Sequence, residues 1–237
     1  MIALTGTAAT NQRKGSTQKI TVTRKNRIIV YGGAYSKSDN NTFLDASNNL
    51  QRMYKAKESD KYNVYIREIK VKQDLIDLIN RQPVNSIRSL DIFTHGGEDS
   101  LYMVSVREGD GSSNFNKNWL WRYIVNNETF KTHHLKSLKT NVFLINSKIE
   151  IHGCKTAENP RKGNNIVSVW SKILYDAGKT RSVVIGHTTN TSPLIHGSST
   201  KLNEQSYMWL ERAIYRNGKL QQLTKIKGFL DEEALTK

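Results

Sequence analysis

Short apolar runs that end in glycine constrain this chain more than any other feature: "RIIVYGG" (27–33), "SIRSLDIFTHGG" (86–97) and "SKIEIHGC" (147–154). Each is strand length, and the first is an apolar β-branched run of the kind found in strands buried on both faces of a parallel sheet. Between the first two lies "NTFLDASNNLQRMYKAKES", where Phe43, Leu44, Leu50, Met53 and Tyr54 fall at helical spacing and predict a helix from about Thr42 to Ala56. Asn41 or Thr42 is placed to cap it. "YNVYIREIKV" then alternates as a strand, and Leu75, Ile76, Leu78 and Ile79 mark a second helix that Pro83 forbids from continuing. The order β-α-β-α-β requires crossovers of one hand and a largely parallel sheet.

The alternation runs on. "SLYMVSV" and the polar "REGDGSSNFNKN" predict a short hairpin or excursion, and "WLWRYIVNNETFKTHHLKSLK" carries a mostly helical pattern with His133-His134 on a solvated helix or loop. A fourth strand is expected near Ser147 to Ile151, a helix from Asn164 or Asn165 to Gly178, and a fifth strand in "RSVVIGHTT". Asn217-Gly218 between alternating segments is a hairpin signal. The fold class is therefore α/β, a mostly parallel central sheet flanked by helices with a C-terminal hairpin. Residues 27–230 form one domain, preceded by a basic arm (1–26) and followed by a short tail (231–237).

The 237 residues suffice for one substantial core, and no apolar run reaches the roughly 20 residues needed to span a bilayer. The start lacks the pattern of a secretory signal, so the expected location is cytoplasmic, or a target cell reached without a classical signal peptide. Cys154 is the single cysteine, which excludes an internal disulfide. Lys and Arg exceed Asp and Glu by 36 to 21, a net charge of +15 that favours anionic partners: nucleic acid, a polyphosphate or an anionic surface. Six of the basic residues and no acidic one fall between Met1 and Arg27.

Ligands of an open parallel sheet bind outside the carboxyl ends of its strands. That rule selects Gly32-Gly33, His95-Gly96-Gly97 and Gly153-Cys154. A lone cysteine after a strand more often packs as a small hydrophobe, and His95 at the matching end of a neighbouring core strand reverses that reading for Cys154. Such a pair supplies the parts of acyl transfer: an imidazole to take the thiol proton and a thiolate to attack a carbonyl. The backbone N–H groups near Gly96 and Cys154 are candidates for holding the oxyanion. Gly32 and Gly33, with no phosphate-loop pattern after them, mark a tight strand exit beside this edge, and with His152 and His187 they are candidate pocket residues. A metal is not assigned, because close ligand spacings such as H-x-x-x-H are absent. Trp119 and Trp121, two apart, are read as core and rim. Asp91, four residues before His95, has no assigned role.

"LDIFTHGG" and "IEIHGCKTAE", with "WSKILYDAGKTRSVVIGHT" downstream, resemble the caspase-like cysteine peptidases, the superfamily of caspases, clostripain, gingipains, separase, CHAT-domain proteases and the self-cleaving protease domains of bacterial toxins. In that superfamily a hydrophobic strand ends in His-Gly and the next core strand ends in a small residue and the catalytic Cys. The resemblance spans about Arg27 to Thr189 and is nearest the bacterial branches, since the caspase "QACxG" form is absent. It implies a caspase-like three-layer sandwich, a cysteine endopeptidase with His95 as base and Cys154 as nucleophile, and a role as a bacterial effector or toxin-associated protease. It also implies a polypeptide substrate, with the chain itself as one candidate, and a cognate inhibitor or immunity protein as a partner. No cofactor is required for the chemistry, although an activating polyphosphate such as inositol hexakisphosphate is implied by the toxin branch. The alternative is an inactive caspase-like fold, a basic toxin or adaptor that binds nucleic acid or a polyphosphate.

Overall fold

A computed structural model describes residues 24–33, 37–58, 61–103, 128–191, 193–194, 206–207 and 211–226, together with 228, 230 and 235. Its centre is a seven-stranded sheet. In chain order the strands are β1 (Lys25–Gly32), β2 (Tyr62–Ile69), β3 (Ile87–Phe93), β7 (Phe143–Ile151), β8 (Val183–His187), β11 (Arg212–Arg216) and β12 (Lys219–Thr224). Across the sheet they run β12-β11-β8-β7-β3-β1-β2. The five from β2 to β8 are parallel, and β11 and β12 are antiparallel.

Period-two alternation sends the side chains of one strand to two different cores. Ile28, Val30, Leu90, Ile92, Ile149 and Ile151 pack in one cluster with Leu75, Ile76 and Ile79 of α2 (Lys72–Asn80) and Ile166, Val167, Trp170 and Leu174 of α3 (Ile166–Asp176). Ile29 and Phe93 point the other way and meet Phe43, Ala46, Leu50, Met53 and Tyr54 of α1 (Lys37–Glu58). Further along that second face, Val183, Ile185 and Ile214 pack with Leu230. The molecule is thus α/β, a mostly parallel sheet with helices on both faces. Among the described residues no helix is long and apolar enough to cross a membrane.

The remaining strands are short. β4 (His95–Gly97), β5 (Ser100–Tyr102) and β6 (Thr129–Lys131) make an antiparallel three-stranded sheet, and β9 (Pro193–Leu194) pairs with β10 (Ser206–Tyr207).

Several boundaries differ from the sequence expectation. The third strand stops at Phe93, and His95 opens a different sheet. α1 begins at Lys37, so neither Asn41 nor Thr42 caps it; the polar residues before Phe43 join the helix. The fourth core strand starts at Phe143, earlier than its apolar pattern indicated. Of the region before it that carries a helical pattern, residues 119–127, with Trp119 and Trp121, lie outside the described residues; Glu128 is helical, and from Thr129 the chain forms β6 and two 3₁₀ turns, Thr132–Ser137 and Thr140–Val142. The basic arm, apart from residues 24–26, also lies outside them.

Other signals appear where they were read. Asn165 caps α3, its side-chain oxygen accepting the Ser168 N–H at 2.9 Å. Asn217 (φ 54°) and Gly218 (φ 69°) both take positive φ between Arg216 and Lys219, as a two-residue hairpin turn requires.

Candidate active site

β3 and β7 are hydrogen-bonded parallel neighbours, so the residues that follow them emerge at one edge of the sheet. After Phe93 the chain bends: the Thr94 hydroxyl donates to the Tyr102 carbonyl at 2.6 Å, and His95 then pairs with Tyr102 in the small sheet. His95 is half-buried, its ring edge-on to Phe43 of α1 with centroids 5.2 Å apart. Gly33 (φ 71°) sits under this bend, where a Cβ would fall 1.5 Å from the Tyr102 carbonyl oxygen, and a Cβ on Gly32 would fall 2.0 Å from that of Ile69. Both glycines are buried and form a tight strand exit.

After Ile151 the chain continues the ladder for one residue, the His152 N–H donating to the Ile92 carbonyl at 2.8 Å, and then turns. The turn bearing Cys154 meets the turn bearing His95 backbone against backbone. A Cβ on Gly153 would lie 2.9 Å from the Thr94 carbonyl oxygen and 3.5 Å from the Gly96 nitrogen; one on Gly96 would lie 3.1 Å from the Cys154 carbonyl oxygen and 2.6 Å from Thr156 Cγ2. Side chains are excluded at both glycines so that these segments can touch.

The Cys154 turn is held from its far side by the segment after β8. Lys155 N–H donates to the Thr189 carbonyl at 2.9 Å and Ala157 N–H to that of His187 at 2.8 Å, while the Thr156 hydroxyl donates to the Gly153 carbonyl at 3.0 Å. Lys155 adopts φ 56°, a left-handed conformation that costs a non-glycine residue on the order of 1–2 kcal/mol and persists only where surrounding contacts impose it. The Cys154 thiol is half-buried, and its hydrogen bonds run to the backbone of Thr191.

The other two histidines named from the sequence are buried. His187 ends β8, fully buried and opposite Arg212 of β11, and it supports the Cys154 turn through its backbone. His152 is buried, stacked on Phe93, with Nε2 3.4 Å from Asp91 Oδ1.

Asp91 belongs to a row of buried charges across the α1 face of the sheet. Lys148 Nζ lies 3.3 Å from Asp91 Oδ1 and 2.9 Å from Glu150 Oε2, Arg212 Nη1 lies 2.5 Å from Glu150 Oε1, and the Tyr54 hydroxyl donates to Asp91 Oδ2 at 2.8 Å. Burial would raise the pKa of Asp91, but the Lys148 ammonium and then His152 outweigh it and hold the carboxyl below its ordinary value. Burial opposes ionisation of Glu150 too, and Lys148 with Arg212 keeps it well below the usual range. Asp91, Glu150 and His152 bring donor atoms within 4.8 Å of one another. Lys148 already bridges the two carboxylates, and Lys148 and Arg212 balance them without an added ion.

Sequence reasoning missed Thr191 and this charged row. The rule that selected the ends of the first, third and fourth strands, applied to the fifth, leads to the segment that holds the thiol. No signal marked Lys148 and Glu150 as buried, since "SKIEI" also reads as a strand with one wet face.

No protein-family model matches the chain, and no curated protein matches it in sequence.

Proposed function

We propose that this chain is a cysteine endopeptidase with a caspase-like α/β sandwich, His95 its general base and acid and Cys154 its nucleophile. The observation that carries the reading is the backbone contact between the Gly96 and Gly153-Cys154 turns, which joins the ends of two adjacent parallel strands beside a half-exposed thiol. A mostly parallel sheet between helices is compatible with that sandwich.

The chemistry follows from the groups. His95 takes the thiol proton, and Cys154 Sγ forms a bond to the carbonyl carbon of the scissile peptide. The resulting oxyanion is met by the backbone N–H groups of Gly96 and Cys154. Collapse breaks the C–N bond as the imidazolium gives its proton to the departing amine. Water, deprotonated by His95, then releases the carboxylate product and restores the thiol. No step of the reaction runs through a cofactor. The substrate is a polypeptide, and a bacterial effector or toxin-associated role follows from the sequence resemblance.

Incubation with a peptide library, read by mass spectrometry, tests the reading. Cys154→Ala is expected to abolish cleavage, and His95→Ala to slow it by roughly 10²–10⁴-fold. Cleavage that survives Cys154→Ala would sink the proposal. Absence of cleavage together with anion binding that weakens steeply with salt would favour the inactive, basic binding module.

A further inference from the structure

Among the described residues, the sulfur of Cys154 is hydrogen-bonded to Thr191 alone. The thiol donates to the Thr191 carbonyl at 3.1 Å, and the Thr191 backbone N–H donates to Sγ at 3.3 Å. These contacts extend a built interface, because Lys155 to Thr189 and Ala157 to His187 already join the two segments. Thr191 itself is only 9% exposed. The thiol thus completes the seam between the Cys154 turn and the segment after β8.

Resting on the peptidase reading, we propose that Thr191 is a further catalytic residue of that reaction: its carbonyl holds the proton of the resting thiol, and its backbone N–H supports the thiolate once the proton has moved to His95. In that step the S–H bond breaks, an N–H bond forms on the imidazole, and the electron pair stays on sulfur; no other reactant is needed. The two contacts act in opposite senses. An S–H to carbonyl bond favours the thiol, whereas an N–H directed at an anion is charge-assisted and favours the thiolate. Thr191 therefore changes from acceptor to donor as the nucleophile is made.

The chain's single cysteine makes the test clean, since one S–H band and one alkylation site report on it. Among the described residues, the titratable groups on the elements packed against this turn are His95 on β4, Glu98 just after it and Tyr102 on β5, Lys155 and Glu158 on the turn itself, His187 at the end of β8, and Glu211 against Thr188. Substitutions at position 191 leave all of them in place. In the full-length protein, infrared spectroscopy at neutral pH is expected to show one S–H stretching band at the lowered frequency of a hydrogen-bonded thiol, unchanged in His95→Ala. Thr191→Pro removes the N–H and keeps the carbonyl. The midpoint of Cys154 alkylation by iodoacetamide is expected to rise by about one pH unit, roughly tenfold less thiolate at a given pH. Asn190→Pro, which places proline one residue away, is the comparison. A missing S–H band, meaning a thiolate–imidazolium pair already formed, would overturn the proposal; so would a band that moves in His95→Ala, or a Thr191→Pro midpoint no different from that of Asn190→Pro. If Thr191→Pro does not fold, the band decides. Both readouts sense sulfur rather than turnover, so failure of the peptidase reading, seen as absent cleavage, is distinguishable from failure of this one.

Discussion

The imidazole of His152 lies flat against the ring of Phe93, centroids 4.0 Å apart and planes 4° from parallel. Each residue stands two positions before a candidate catalytic one, Phe93 before His95 and His152 before Cys154. The stack therefore fixes how far each strand carries its reactive residue beyond the sheet. His152→Ala is expected to destabilise the protein by about 2–4 kcal/mol through the cavity left beside Phe93. His152→Phe keeps the stack and recovers most of that loss. Urea unfolding measures both, and an unchanged midpoint in His152→Ala would show that the stack carries nothing.

Lys148 stands between two buried carboxylates, so Lys148→Met leaves Asp91 and Glu150 without the cation between them. The expected cost at neutral pH is about 3–5 kcal/mol. Both carboxyls have folded-state pKa values below their unfolded ones, near about 4. Their contribution is therefore complete above that range and is lost as the pH falls through the folded values. Wild type should show this acid limb. The gap between wild type and Lys148→Met should narrow below about pH 4, and a gap of constant size would contradict the assignment.

His134 accepts the Lys131 backbone N–H on Nδ1 at 2.9 Å, which requires that nitrogen to be unprotonated. Partial burial, then the neighbouring His133, Lys72 and Lys131, lowers its pKa. The sign follows: its contribution is present above the unfolded value of about 6.5 and declines as the pH falls from there through the folded value. His134 is only partly buried, so the effect is small. Urea midpoints of wild type and His134→Asn are expected to converge between about pH 7 and pH 5, and parallel curves would refute this role.

Gly96→Ala and Gly178→Ala separate close approach from backbone freedom. At Gly178 (φ 81°) nothing lies within 4 Å of an added Cβ, and only the left-handed backbone resists, by about 1 kcal/mol. At Gly96 the Cβ meets Thr156 and the Cys154 carbonyl, and the two turns must part. Gly96→Ala is expected to lower peptide cleavage by tenfold or more, with Gly178→Ala near wild type. Equal activity in the two variants would mean that the contact between the turns has no catalytic value.

The sheet was legible because burial on both faces leaves a run of apolar residues, as in IIVY of β1 and VVIG of β8, and the glycines at the ends of "RIIVYGG" and "SIRSLDIFTHGG" marked where the chain must turn within a crowded edge. His95 and Cys154 followed from topology alone. The sequence could not show that His95 opens a new sheet, because the bend depends on the Thr94 hydroxyl reaching Tyr102, a pairing eight residues away. Nor could it show that Lys148, Glu150 and Arg212 are buried. Charges alternating along a strand ordinarily face water, and only α1 and the C-terminal residues, which pack on that face, turn the alternation inward.

β8 and β11 are adjacent and antiparallel, with Thr188 N–H donating to the Glu211 carbonyl at 3.2 Å. The chain thus departs from this edge of the sheet and returns to it at almost the same point. No crossover has to be spanned between those residues, and doubling the length of such a connection costs only about 0.6 kcal/mol in closure entropy. The connection between Thr191 and Glu211 can therefore change in length at little cost while the seven-stranded platform, and the residues up to Thr191 that hold the Cys154 turn, stay as they are.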